Sequence, residues 1–179
     1  MSLPRRRFFP TSWKPDITRL LPSDPSRFRG PIVAELVIWA YTAVIVTRSC
    51  IHLFAPDGGA HSIATIDTTV AGGSNIIAVF GQWGASQLLL AFLIIVLLVR
   101  YRGLMPLIAV TFAVEPVLRF LAGSLKPLHT VGTAPGAALN DVMGYFMLVA
   151  LYLALCSGLP RPAAVIGATD AVAYPDNSN

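Results

Sequence analysis

An all-α fold of four membrane-spanning helices is predicted by three features of the chain. The stretch Leu88–Val99 is apolar at every position, and Ile76–Phe80 extends it toward the N-terminus. A soluble helix hides one apolar stripe, whereas a bilayer's hydrocarbon core demands roughly 20 apolar residues in succession. Composition agrees. Of 179 residues, 55% are hydrophobic and 12% charged, with a mean hydropathy of +0.67, while soluble domains carry about a quarter charged residues. The third feature is that most basic residues fall in alternate connections, the pattern that sets orientation in a membrane.

Residues 1–30 form a basic, Pro-rich arm. Arg5, Arg6 and Arg7 run into Phe8-Phe9-Pro10 and then a polar stretch through Pro15, Pro22 and Pro25. A secretory signal peptide places its apolar stretch soon after its basic residues, so the arm is not read as one. The interleaved Phe8, Phe9, Trp13, Leu20, Leu21 and Phe28 fit it to anionic headgroups or to a partner subunit.

A transmembrane domain is expected over 31–160. Its first helix, about 32–54, opens after Gly30-Pro31 and carries Glu35 and Arg48 near opposite ends. Thirteen residues separate those two charges, about 20 Å along a helix, so each must find a partner elsewhere. The second helix, about 74–101, takes Ser74 as its N-cap and stops at Arg100-Tyr101-Arg102. Within it, Gly81 and Ala85 form a small-residue pair that lets a neighbouring helix approach. The third, about 104–125, follows so short a turn that it should fold back on the second as a hairpin. The fourth, about 137–159, begins around Asn140-Asp141 and ends at Gly158-Leu159-Pro160.

The connection 55–73 is expected to be an external cap or short interfacial segment, and the Ala/Pro-rich tail 161–179 a disordered cytoplasmic one. Seven Lys or Arg residues precede the first helix, and Arg100, Arg102 and Arg161 fall on the same side. The opposite side has Arg48 at a helix end and Lys126, so both termini are expected in the cytoplasm. Cys50 and Cys156 then lie on opposite membrane faces, which implies no disulfide framework.

Chemistry is most expected at Glu115-Pro116-x-x-Arg119 in the third helix. Placing charges at a helix centre costs about 2.5–3.5 kcal/mol each, and i,i+4 spacing lets this pair offset that cost. Two readings stand: an ion pair that sets helix packing, or a binding pocket or proton site. Gln82, Trp83 and Gln87 of the second helix join the same candidate cluster, the amides acting as helix glue or as cavity lining. His52, His61 and His129 lack any metal-binding spacing, so no metal site is assigned. No catalytic triad, phosphate loop or dinucleotide fingerprint occurs, which makes a hydrolase or nucleotide enzyme a poor reading. No catalytic residue and no cofactor follow from the residues.

The run Phe80-Gly-Gln-Trp-Gly-Ala-Ser-Gln-Leu through Arg100-Tyr-Arg, then Pro106 and Glu115-x-x-x-Arg119, resembles small uncharacterised four-helix membrane proteins of bacteria. In layout these are similar to the DoxX-like group, and the likeness covers about half the chain. It implies an architecture and a bacterial inner membrane; some of that group serve quinone-linked systems, but no residue here carries that activity over. The expected function is a small, non-enzymatic accessory or assembly subunit, with the lipid bilayer and a membrane-protein partner or second copy as partners and no nucleic acid. The alternative is a small-ligand or quinone-binding redox component using the Gln82/Gln87/Glu115/Arg119 cluster.

Overall fold

In a computed structural model, which describes residues 5–132 and 135–159, the chain is all-helical, with four helices and no strands among those residues. They are α1 (Ile32–Phe54), α2 (Gly73–Arg100), α3 (Met105–Leu125) and α4 (Pro135–Leu155); side chains of 135–141 are outside the description. Three spans are long and apolar enough to cross a bilayer: Ile32–Phe54, Gly73–Arg100, and Arg102–Leu125, which includes the 3-10 turn before α3. These helices make the chain a membrane protein by length and composition. The tail 161–179 lies outside the described residues.

The helices pack in the spatial order α2, α1, α4, α3. This corrects the expected hairpin. Although only a 3-10 turn at Arg102–Leu104 separates α2 from α3, their backbones do not pack on each other; α2 lies against α1 and α3 against α4. The choice is made by local shape. Gly84 is buried where α2 meets α1, and a Cβ there would lie 2.7 Å from His52 Cβ and Leu53 N. Gly81 faces the same helix at ordinary contact distance, and Ala85 is exposed, so the close approach falls at Gly84 rather than at the Gly81/Ala85 pair. On α3, buried Pro116 sits within 3.5 Å of where Gly144 of α4 would carry a Cβ.

The main core lies toward one end. Ala34, Ile38 and Tyr41 of α1, Ile94 and Leu98 of α2, Met105 to Ala113 of α3, and Met147, Ala150 and Ala154 of α4 form one buried cluster. All are in the halves of their helices nearest the N-terminal arm. Tyr41 and Phe112 meet edge to face at 4.9 Å, an arrangement aromatic quadrupoles favour.

The arm closes this end. A helix leaves its first N–H groups and last C=O groups without intrahelical partners. Here the arm supplies them. Ile32 and Val33 N–H donate to the carbonyls of Arg7 and Phe8, while Asp16 N–H and Arg7 N–H donate to the carbonyls of Leu155 and Gly158. Thr11 pairs with Ser157 and the Arg19 guanidinium donates to the Cys156 carbonyl at 2.7 Å. This explains the shortened last helix: α4 stops at Leu155, not 159, because Ser157 forms an antiparallel bridge with Ser12. Gly158 must be glycine, since a Cβ would meet the Gly30 carbonyl carbon and Pro31 N at 2.6 Å.

At the opposite end, the 55–72 connection is a turn-rich cap. Asp57 accepts from Gly59 N–H at 3.0 Å and Ser62 N–H at 2.7 Å, and those bonds hold its carboxyl down to about 2. Ile66 bridges to Thr130, tying the cap to the chain between α3 and α4. α2 starts at Gly73, one residue before the expected Ser74 start, with Gly72 as N-cap.

Candidate functional site

Two charged clusters lie on the helices, one near each end. At the arm end, Glu35 on the first turn of α1 accepts from Arg6 at 2.5 Å and also pairs with Arg102 in the α2–α3 turn. The Glu35 side chain is only 12% exposed. Arg6 also lies over the Phe28 ring, 5.4 Å from its centroid. One carboxylate thus fastens arm, α1 and interhelical turn together. The sequence places Glu35 apart from Arg48, as found, but its two arginines come from segments 29 and 67 residues away.

The second cluster is built around Trp83. Because Gly84 brings α2 close to α1, the Trp83 indole reaches His52, with ring centroids 4.7 Å apart and planes tilted by 31°. Phe80 stands perpendicular to Trp83 at 5.8 Å. Two guanidiniums lie over the same indole: Arg48 of α1 at 5.0 Å and Arg119 of α3 at 5.4 Å. Trp is the ring that attracts a cation most strongly, and the attraction grows where water is excluded.

His52 is held from both sides. Its Nδ1 lies 2.7 Å from the Gly58 carbonyl, and Arg48 Nε donates to its Nε2 at 3.3 Å. That combination calls for the ring proton on Nδ1, donating to the carbonyl, with Nε2 as acceptor. Arg48 and His52 are one helical turn apart, as are Glu115 and Arg119.

Glu115 and Arg119 form the expected i,i+4 ion pair through Oε1 and one terminal nitrogen. The pair is incompletely satisfied: Glu115 Oε2 and Arg119 Nε are enclosed without a hydrogen-bond partner among the described residues. Yet the side chains are 36% and 28% exposed. The pair therefore sits at the rim of α3, next to exposed Val114 and Leu118 on one side and buried Phe112 on the other.

Of the five residues expected to cluster, the structure brings together three: Trp83, Glu115 and Arg119. Gln82 lies on the exposed face of α2, and Gln87 is half-buried one turn further on. Neither amide hydrogen-bonds to Glu115 or Arg119, so they do not extend the pair. For Gln82 the reason is helical phase, since adjacent residues project about 100° apart and Trp83 takes the inward direction; Gln87 shares the Trp83 face but lies a full turn away along α2. Arg48 and His52 were not foreseen in the cluster. Their i,i+4 spacing puts both on one face of α1, but only the close approach of α2 at Gly84 brings that face to Trp83.

The cavities lie elsewhere. One of about 330 Å³ opens at the arm end, lined in part by Arg19, Arg27, Arg29, Asp16 and Asp24. Another, of about 180 Å³, is an apolar groove between α1 and α4 bounded by Val37, Tyr41, Val44, Met143 and Phe146. Compared with protein-family models, curated proteins and solved structures, the chain matches none of them.

Proposed function

We propose that the chain is a non-enzymatic, multi-pass subunit of a membrane complex, formed as a four-helix transmembrane bundle with both termini in the cytoplasm. The observation that carries this reading is the Glu115–Arg119 pair. It sits midway along a helix of bilayer length, and about a third of each side chain is uncovered: 36% and 28%. Lipid tails offer no hydrogen bonds, so charged groups within a span turn toward protein. A partner helix, or a second copy of this chain, covers the rim formed by Val114, Glu115 and Leu118. The α2–α3 separation supports the same reading, because it leaves two apolar faces unpaired at the loop end.

Orientation follows the basic residues of the arm and the α2–α3 turn, and the placement in a bacterial inner membrane follows the DoxX-like layout. Purification in mild detergent with mass measured by light scattering tests the proposal. The expected result is a stoichiometric partner or a dimer that Glu115→Gln weakens. Recovery of the wild type solely as a monomer overturns it.

A second reading is favoured by the two guanidiniums on Trp83: a small-ligand or quinone-binding redox component with its site at Arg48, His52, Trp83, Glu115 and Arg119. It requires a ligand to enter between α2 and α3. Tryptophan emission from Trp83 that changes on adding a quinone, and no longer does so after Arg119→Gln, supports it; an emission indifferent to added quinones removes it.

A further inference from the structure

The arm carries more charge than its own contacts use. Residues 5–31 hold seven basic side chains against two acids, Asp16 and Asp24. Arg6 is spent on Glu35, and Arg19 on Asp16 and the Cys156 carbonyl. Arg5, Arg7, Lys14, Arg27 and Arg29 are exposed and make no ion pair within 4.0 Å among the described residues. The two aspartates are occupied locally, each accepting from the backbone and hydroxyl of a residue two positions on, Thr18 and Ser26.

The same segment exposes apolar side chains that a water-facing arm would hide. Phe8, Phe9, Trp13, Ile17 and Leu21 are 49–74% exposed. They do not belong to a loose tail, because the backbone between them is stitched to the ends of α1 and α4 and to Gly103 in the α2–α3 turn. Tyr152 of α4 adds a bond to the Trp13 carbonyl at 2.6 Å. A segment pinned to the ends of bilayer-length helices lies at headgroup depth. There, aromatic rings and aliphatic side chains meet the acyl boundary while cations meet phosphate.

We propose that the arm end is an anionic-phospholipid site: a headgroup phosphate seats in the 330 Å³ cavity against Arg27 and Arg29, while Phe8, Phe9, Trp13, Ile17 and Leu21 enter the same leaflet. Ser23 also lines the cavity and supplies a hydroxyl donor to a phosphate oxygen. Guanidinium is suited to phosphate because its planar fork donates two parallel hydrogen bonds. The proposal rests on the membrane-spanning reading above and does not depend on a protein partner.

Full-length protein in nanodiscs with and without phosphatidylglycerol tests it, with native mass spectrometry counting retained lipids and a fluorophore attached at Ile17→Cys reporting depth. Phosphatidylglycerol should be retained over phosphatidylcholine. The preference should fall roughly fivefold for each charge removed in Arg27→Gln and Arg29→Gln, and the fluorophore should be shielded from aqueous iodide. Equal retention of both lipids, no effect of the double variant, or displacement by inorganic phosphate overturns the site. A fluorophore shielded only in native membranes points to a protein cover and also overturns it. Loss of the protein to alkaline carbonate extraction instead removes the spanning reading itself.

Discussion

Glu35 and Glu115 are both acids within bilayer-length helices, and the fold satisfies them differently. Glu35 sits near a helix start, is 12% exposed and engages two arginines from separate segments. Glu115 lies mid-helix, is 36% exposed, has one arginine from its own helix and keeps an oxygen without a partner. The surroundings follow the same division. Around Glu35 the arm closes the helix ends over the main apolar core; around Glu115, α2 and α3 are bridged by a guanidinium on an indole and not by packed backbones. An ion pair that gathers distant segments is a structural clasp. One confined to a single helix rim leaves a surface for something else.

The sharpest way to break this contrast is to remove each acid. Glu35→Ala leaves Arg6, 22% exposed, and Arg102, 43% exposed, without their acid and should cost about 3 kcal/mol, the low end for breaking a buried pair because Arg102 regains water. It should also free the arm, so that trypsin cleaves after Arg6 and Arg19 faster than in wild type. Thermal melting in detergent together with limited proteolysis checks both effects. An unchanged melt and unchanged arm cleavage would show that the clasp contributes little.

Next in size is Gly84→Leu. The helix interface at Gly84 has no room for a Cβ, and overpacking of this kind costs about 1–3 kcal/mol. Because Trp83 reaches His52 and the Arg48 guanidinium through that close approach, its fluorescence should shift together with the melting temperature. A stability loss with the Trp83 environment unaltered would separate the cluster from the α1–α2 approach.

Glu115→Gln should cost less, about 1 kcal/mol, since the amide keeps its shape and can still accept from Arg119. Its larger effect should fall on association, read by light scattering in mild detergent. If Glu115→Gln and Glu35→Gln destabilise equally, the two acids do the same job and the contrast fails.

The smallest effect concerns acid. Asp57, held near 2 by N–H bonds from Ser62 and Gly59, has a folded pKa below its ordinary 3.8. Its contribution is therefore fully present above about 3.8 and is lost as pH falls toward 2. Hydrogen exchange in the 55–72 cap should rise over that window, and Asp57→Asn should remove the pH dependence. An equal rise in Asp57→Asn would assign it to other groups.

How far these features were legible in the sequence depended on range. Helix α1 is bounded by local signals, Gly30-Pro31 before it and Ala55-Pro56 after it, and its limits coincide with those expected. α2 and α3 begin and end within a residue of expectation, for the same reason. The end of α4 was not legible, because it is set by Ser12 and Thr11 across 145 or more residues of chain. Nor was the arm's role as a cap, which depends on backbone bonds that leave no side-chain pattern. At the candidate site, the i,i+4 spacing revealed Glu115 with Arg119. Trp83 was reached through its neighbours, while Gln82 sits one residue away and a third of a turn out of phase. Arg48 and His52 required knowing that α2 packs on α1, a choice made by one glycine.

The most direct test of the central contrast is site-specific photo-cross-linking in native membranes, with a benzophenone side chain placed at Leu118, on the exposed rim beside Glu115. A discrete protein adduct at this position, either a doubled chain or one partner in stoichiometric yield, is the expected result. Adducts to lipid alone would contradict it, because the partly exposed rim at Glu115 would then face the bilayer with no protein surface to receive it.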